Sequence, residues 1–159
     1  SKSLGATGGF CVSQREELDL VRYAARPYIF TASPPPSVIA STRITLQKLA
    51  AGTHLREKLM QNAQQLYTGL SKLGFELGPE VSPVVAVGIE GKERALFFWK
   101  SLLEHGVYCN LVLPPATPSG IPLLRLSISA AHTSEQVHKI IEVFQKLAEQ
   151  QLKDENAVA

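Results

Sequence analysis

Leu123-Leu124-Arg125-Leu126-Ser127-Ile128-Ser129 alternates apolar and polar side chains from Leu124 onward. Strand side chains point to opposite faces in turn, so Leu124, Leu126 and Ile128 share one face. Leu123, Arg125, Ser127 and Ser129 share the other. The leucine face needs helices to pack against, which leaves Arg125 pointing toward a cleft. After this strand, Thr133 with Gln136 three residues on predicts a capped helix built on Val137, Ile140, Ile141, Phe144 and Leu147, fraying past Gln150. Before it, a proline-rich loop covers Pro114 to Pro122. Further upstream come a strand over Val107 to Val112, a helix near Lys92 to Glu104, and strands over Val84 to Ile89 and Phe75 to Leu77. Leu55, Leu59, Ala63, Leu66, Leu70 and Leu73 fall on one face of a helix stopped by Gly74. Strands separated by helices, without a Gly-x-Gly-x-x-Gly motif, predict an α+β fold: a small antiparallel sheet with helices on one face.

The first fifty residues follow a different pattern. Phe10-Cys11-Val12 reads as a short strand leaving a glycine-rich turn. Ser13 with Glu16 predicts a helix over about 14–25, ended by Pro27. Tyr28-Ile29-Phe30 suits a brief strand. Pro34-Pro35-Pro36 opens a long helical region, interrupted near Gly52-Thr53.

Composition narrows the function classes. Of the 159 residues 45% are hydrophobic, too many for a disordered chain. A net charge of +2 without basic–aromatic interleaving gives no reason to expect nucleic acid. The longest apolar stretch, around Val84 to Ile89, is far short of the roughly 20 residues of a membrane helix. Cys11 and Cys109 share no metal-like spacing and read as free thiols of a reducing compartment, which points to the cytoplasm. No metal site is expected, since His54, His105 and His138 show no pairing that suggests one.

Three blocks carry chemistry. Ser1-Lys2-Ser3-Leu4-Gly5-Ala6-Thr7-Gly8-Gly9-Phe10 joins a lysine, whose amine can form a Schiff base, to glycines that let the backbone approach a bound group closely. Arg26-Pro27-Tyr28-Ile29-Phe30-Thr31-Ala32-Ser33 with Pro34-Pro35-Pro36 places hydroxyls beside a proline run. Pro114-Pro115-Ala116-Thr117-Pro118, Leu124-Arg125-Leu126-Ser127 and Ala130-Ala131-His132-Thr133 complete the set. In this order and spacing they resemble the α-oxoamine synthases, pyridoxal phosphate enzymes that condense an amino acid with an acyl-CoA and lose carbon dioxide. The similarity runs from Ser1 to about Phe144. Within the family the likeness is greatest to the bacterial serine palmitoyltransferases, across Gly8 to Ser37. 8-Amino-7-oxononanoate synthase and 2-amino-3-ketobutyrate CoA ligase are the alternatives. One position departs: the bacterial palmitoyltransferases imply an arginine before the Pro-Pro-Ala-Thr-Pro run, and this chain has Leu113.

The resemblance implies the C-terminal small domain of a fold-type-I pyridoxal phosphate enzyme plus the last segments of its large domain. Residues 1–50 would end the large cofactor-binding domain, with the Schiff-base segment and a linking helix. Residues 51–150 would form the α+β domain and 151–159 a frayed tail. A first half of the enzyme is expected upstream, carrying the acidic partner of the pyridine nitrogen and the residue stacked on the ring, so these residues alone are expected to be inactive. Lys2 would bind pyridoxal 5'-phosphate and move the proton at Cα. Ser1 would contact the phosphate, and Thr31, with Ser33 the weaker candidate, would reach the phosphate of a neighbouring subunit in a homodimer with a shared active site.

Other readings compete residue by residue. Arg125 has the guanidinium fork that suits a substrate carboxylate, and could equally be a surface arginine paired with an acid. Thr31 and Ser33 could merely cap the helix begun by the prolines. Thr117 lies in a proline-stiffened loop that could close over substrate or act as a rigid connector. His132 reads as a structural histidine, and Phe97, Phe98 and Trp99 as core. A rival for the whole is a non-catalytic α+β dimerisation or interaction domain.

Overall fold

The structure, a computed structural model, describes residues 4–32, 34–117 and 119–158, without the side chains of 154–158. Ten elements follow in order: α1 (Leu18–Ala24), α2 (Arg26–Ile29), α3 (Pro36–Ala51), α4 (Thr53–Lys72), β1 (Glu76–Leu77), β2 (Val84–Gly88), α5 (Lys92–Glu104), β3 (Asn110–Val112), β4 (Leu123–Ser127) and α6 (Ser134–Val158). They fall into two units, Ser1–Thr53 and His54–Ala159.

The second unit is the α+β fold that the alternating leucines predict. Its four strands run in the order β1-β2-β4-β3, and every neighbouring pair is antiparallel. Val85 and Val87 of β2 and Leu124 and Leu126 of β4 are buried on one face. Leu66 and Leu70 of α4, Phe98 and Leu102 of α5, and Phe144 and Leu147 of α6 join them in one core cluster. At its centre Phe75 meets Phe98 and Phe144 edge-on, with ring centroids 5.8 and 5.2 Å apart. Burying each such side chain is worth about 1.5–3 kcal/mol, so this cluster dominates the unit's stability.

Local signals set the helix ends here. Gly74, at φ +83°, closes α4: the Phe75 N–H reaches back to the Leu70 carbonyl at 3.3 Å. Gly106, at φ +79°, closes α5 in the same way, with the Val107 N–H on the Leu102 carbonyl at 2.8 Å. The box that opens α6 is reciprocal. The Thr133 N–H donates to Gln136 Oε1 at 2.9 Å, and the Gln136 N–H donates to Thr133 Oγ1 at 3.2 Å. Where fraying was expected, α6 continues through Val158. The stretch beyond Gln150 contains no Gly or Pro to stop it.

The first unit departs further from expectation. Ser13 does not cap a helix at residue 14. Its Oγ accepts the Arg15 N–H at 3.1 Å, a local turn that competes with the cap, and α1 begins only at Leu18. Tyr28 and Ile29 lie in α2 rather than a strand, because Pro27 occupies the first turn, where its missing N–H costs nothing. The Phe30 N–H then closes that turn on the Arg26 carbonyl at 3.0 Å. Phe10–Val12 is not in a strand. The region after the prolines does form two helices, α3 and α4, parted at Gly52.

Candidate functional site

In the first unit, the glycine-rich segment folds against α3. Residues 4 and 6–10 share a cavity of about 590 Å³ with Val38, Ile39, Thr42 and Arg43 of that helix. Gly5 and Gly8 have φ of +59° and +111°, conformations that an L side chain rarely adopts. Among the described residues nothing lies within 4 Å of where a Cβ would stand at Gly5, Gly8 or Gly9, so the backbone there is open to close approach. Ser1, Lys2 and Ser33 lie outside the described residues. Thr31 is exposed, and among the described residues its hydroxyl has only the Ala32 carbonyl, at 3.5 Å, the outer limit of a hydrogen bond.

In the second unit, Arg125 stands on the open face of the sheet. It is exposed at mid-strand and paired in register with Ala86 of β2 and Asn110 of β3. No salt bridge engages it among the described residues, so its fork of donors is available to a carboxylate. Thr117 is buried, and its Oγ1 has no hydrogen-bond partner among the described residues. The turns around it are closed by the Ala116 N–H on the Leu113 carbonyl at 3.0 Å and the Gly120 N–H on the Thr117 carbonyl at 3.4 Å. Leu113 is half-buried. Pro118 lies outside the described residues.

His132 has a local structural part. Its Nδ1 accepts the Ser129 N–H at 3.1 Å and lies 2.9 Å from Ser129 Oγ. Asn62, fully buried on α4, donates to the Ser129 and His132 carbonyls at 3.1 and 2.8 Å and ties that turn to the helix. Sequence reasoning passed over Asn62. The available signal was a lone amide on the leucine face of α4, which must find partners once buried. Phe98 is wholly buried, with Phe97 and Trp99 packed against the same core, and the Trp99 Nε1–H donates to the Cys109 carbonyl at 3.1 Å. Both cysteines are unpaired: Cys11 is exposed, whereas burial pushes the Cys109 thiol up to about 11. Among the described residues, no group of three or more His, Cys, Asp or Glu side chains could hold a metal ion, and no helix is long and apolar enough to cross a membrane.

The sequence profile of the aminotransferase class I and II family matches residues 1–144. The chain belongs to that family. It is 51% identical over 144 residues to a serine palmitoyltransferase of Caulobacter vibrioides (strain NA1000 / CB15N), covering 91% of this chain and 36% of that protein. It is 31% identical over 150 residues to an 8-amino-7-oxononanoate synthase of Alkaliphilus oremlandii (strain OhILAs), covering 94% of this chain and 38% of that one. A serine palmitoyltransferase solved at high resolution with its pyridoxal phosphate internal aldimine superimposes with a TM-score of 0.88 at 46% identity, over 94% of this chain and 38% of that one. The chain thus spans a little over a third of the length of these relatives. Its α+β fold is that of the C-terminal region of fold-type-I pyridoxal phosphate enzymes.

Proposed function

We propose that these residues belong to a pyridoxal phosphate-dependent acyl-CoA:amino acid C-acyltransferase of the serine palmitoyltransferase type. The supporting observation is the 51% identity to a serine palmitoyltransferase, against 31% to an 8-amino-7-oxononanoate synthase. In the overall reaction the amino acid Cα displaces CoA from the thioester, and the amino acid carboxyl leaves as carbon dioxide. The described residues fit the cofactor: the backbone at Gly5, Gly8 and Gly9 is open to a ring, and the Thr31 hydroxyl is available to a phosphate. When bound, pyridoxal phosphate supplies an electron sink for the carbanion at Cα.

Lys2 would hold the cofactor through its amine and, with the amino acid in that place, would move the proton at Cα. Ser1 hydrogen-bonds the phosphate. Thr31, with Ser33 the weaker candidate, does the same for the phosphate of the second subunit, so the working unit is a homodimer with a shared site. Arg125 grips the substrate carboxylate bidentately until it leaves. Thr117 sits in the loop that closes over the substrates, and its buried, unpartnered hydroxyl is a polar group that loop can offer as it closes. Two unpaired cysteines support a cytoplasmic setting.

The test is an assay of the full-length protein with L-serine and palmitoyl-CoA beside a panel of other amino acids and acyl-CoAs, following CoA thiol and carbon dioxide together. Equal release of both, highest with serine and a long-chain thioester, is expected. Lys2→Ala should lower turnover by at least the 10² to 10⁴ typical of losing a general base. Near-normal turnover in that variant would exclude Lys2 from the chemistry.

A further inference from the structure

A second cavity, of about 460 Å³, opens in the α+β unit between the end of β4, the Gly106–Tyr108 connection and the first turns of α6. This lies within the range of small-molecule sites, roughly 300–1,000 Å³. It adjoins the helix-covered face of the sheet, since Leu126 lines it, whereas Arg125 stands on the opposite face. Its polar side chains have a common chemistry. His132 already uses Nδ1 to accept the Ser129 N–H, so a neutral ring carries its proton on Nε2 and can only donate there. Gln136 uses Oε1 to accept the Thr133 N–H, which leaves its amide NH₂ as the group to offer. Lys139 is a donor by nature, and its Nζ lies over Gly106, 3.8 Å from where a Cβ would stand.

Among the described residues no Asp or Glu lines this cavity. Among the described residues no salt bridge engages Lys139. Two acids flank Lys139 along α6, Glu142 three residues on and Glu135 four residues back, and neither lines the cavity. Glu135 is held below the usual carboxylate range by hydrogen bonds from its own backbone and from Thr133, with Lys58 and His138 adding to the effect. Val107, Leu126, Ile128 and Ile140 give an apolar wall, and Tyr108 and Ser127 add hydroxyls that can also donate. A pocket that pairs three donors and two hydroxyls with an apolar wall, and offers no carboxylate, favours an acceptor-only head on an apolar body.

We propose that this cavity binds a small amphipathic oxyanion, its carboxylate or phosphate head at Lys139, His132 and Gln136 and its apolar part against Ile128 and Ile140. The site uses none of the residues assigned to the acyl transfer, so it stands whether or not that reading does.

Calorimetric titration of the full chain with hexanoate, hexyl phosphate and neutral hexanol tests it. Hexanoate or hexyl phosphate should bind at least tenfold more tightly than hexanol, and the stronger of the two identifies the head group. Lys139 is exposed, so Lys139→Met should keep the melting temperature while weakening the better anion about tenfold; Lys139→Arg should retain most of the affinity. Equal binding of hexanol, undiminished anion binding by Lys139→Met, or no heat from any probe would each overturn the proposal.

Discussion

The proposed function gives Arg125 the substrate carboxylate, and Leu113 stands where the palmitoyltransferase pattern implies an arginine. Arg125 is exposed at mid-strand with Ala86 and Asn110 beside it, so no neighbouring acid consumes its fork. In the cofactor-loaded full-length protein, Arg125→Ala should weaken amino acid binding far more than acyl-CoA binding. Losing a charge-assisted bidentate contact costs on the order of 1.5–3 kcal/mol, roughly 10- to 150-fold. Arg125→Lys should recover only part, because an ammonium lacks the planar fork. Spectral titration with serine, glycine and alanine measures this, and unchanged affinity in Arg125→Ala would remove it from the site. If the missing arginine matters, Leu113→Arg should strengthen serine binding or change the order of preference in the same titration. Cys109 gives a different kind of check. Its folded thiol ionises near about 11, against an ordinary 9.0 in the unfolded chain. Between these values the unfolded chain has lost a proton that the folded chain keeps, so this group's contribution to stability is intact below pH 9 and drains away toward pH 11. At neutral pH iodoacetamide should label exposed Cys11 first and Cys109 only as the chain unfolds. Equal labelling rates would contradict that burial.

At the level of elements, the α+β unit was legible because its signals are redundant. The 3–4 spacing of leucines in α4, the Thr133–Gln136 box and the alternation in β4 each predict an element that the core cluster then requires. The first unit was harder to read because single local cues stood alone. Ser13 had two uses for its hydroxyl, and aromatic β-branched Tyr28–Phe30 had no partner strand to make its propensity count. Strand alternation made legible the exposed, mid-strand place of Arg125; the proposed roles of the other site residues rest on their motifs, with Ser1, Lys2 and Ser33 outside the described residues. The burial of Thr117 was not, because it depends on contacts that a loop's own sequence does not encode. Nor was the closeness of α4 and α6 at Gly69, where a Cβ would overlap the Ile141 side chain. Ile141 is β-branched and stiff at χ1 in a helix, so it cannot simply swing aside. Gly69→Ala should therefore destabilise the unit by about 1–3 kcal/mol, outweighing the roughly 1 kcal/mol that alanine gains in a helix. Urea denaturation gives the value. Adding Ile141→Ala should make the alanine at 69 less costly than it is alone, and strictly additive losses would show that the two helices do not meet there.

For the whole molecule, the proposed function implies a site assembled from more chain than these residues supply. They span 36% of the length of the serine palmitoyltransferase relative, yet hold the segments proposed to carry the Schiff-base lysine, the phosphate hydroxyls and the carboxylate-binding arginine. The resemblance assigns the acidic partner of the pyridine nitrogen and the ring-stacking residue to the remainder. A lysine amine becomes a good nucleophile at neutral pH when burial and neighbouring charges depress its pKa, and a cofactor is held tightly when its ring and phosphate are both gripped. With only some of those contacts available, the 159 residues produced alone should fold around the Phe75–Phe98–Phe144 cluster but bind pyridoxal phosphate weakly and turn over nothing. Circular dichroism should report a cooperative unfolding transition, while added cofactor should leave only the absorbance of the unbound aldehyde. The full-length protein under the same conditions should turn yellow. A stable yellow complex with the 159 residues alone would show that the contacts assigned elsewhere are dispensable, and the division of the site between these residues and the rest of the enzyme would have to be redrawn.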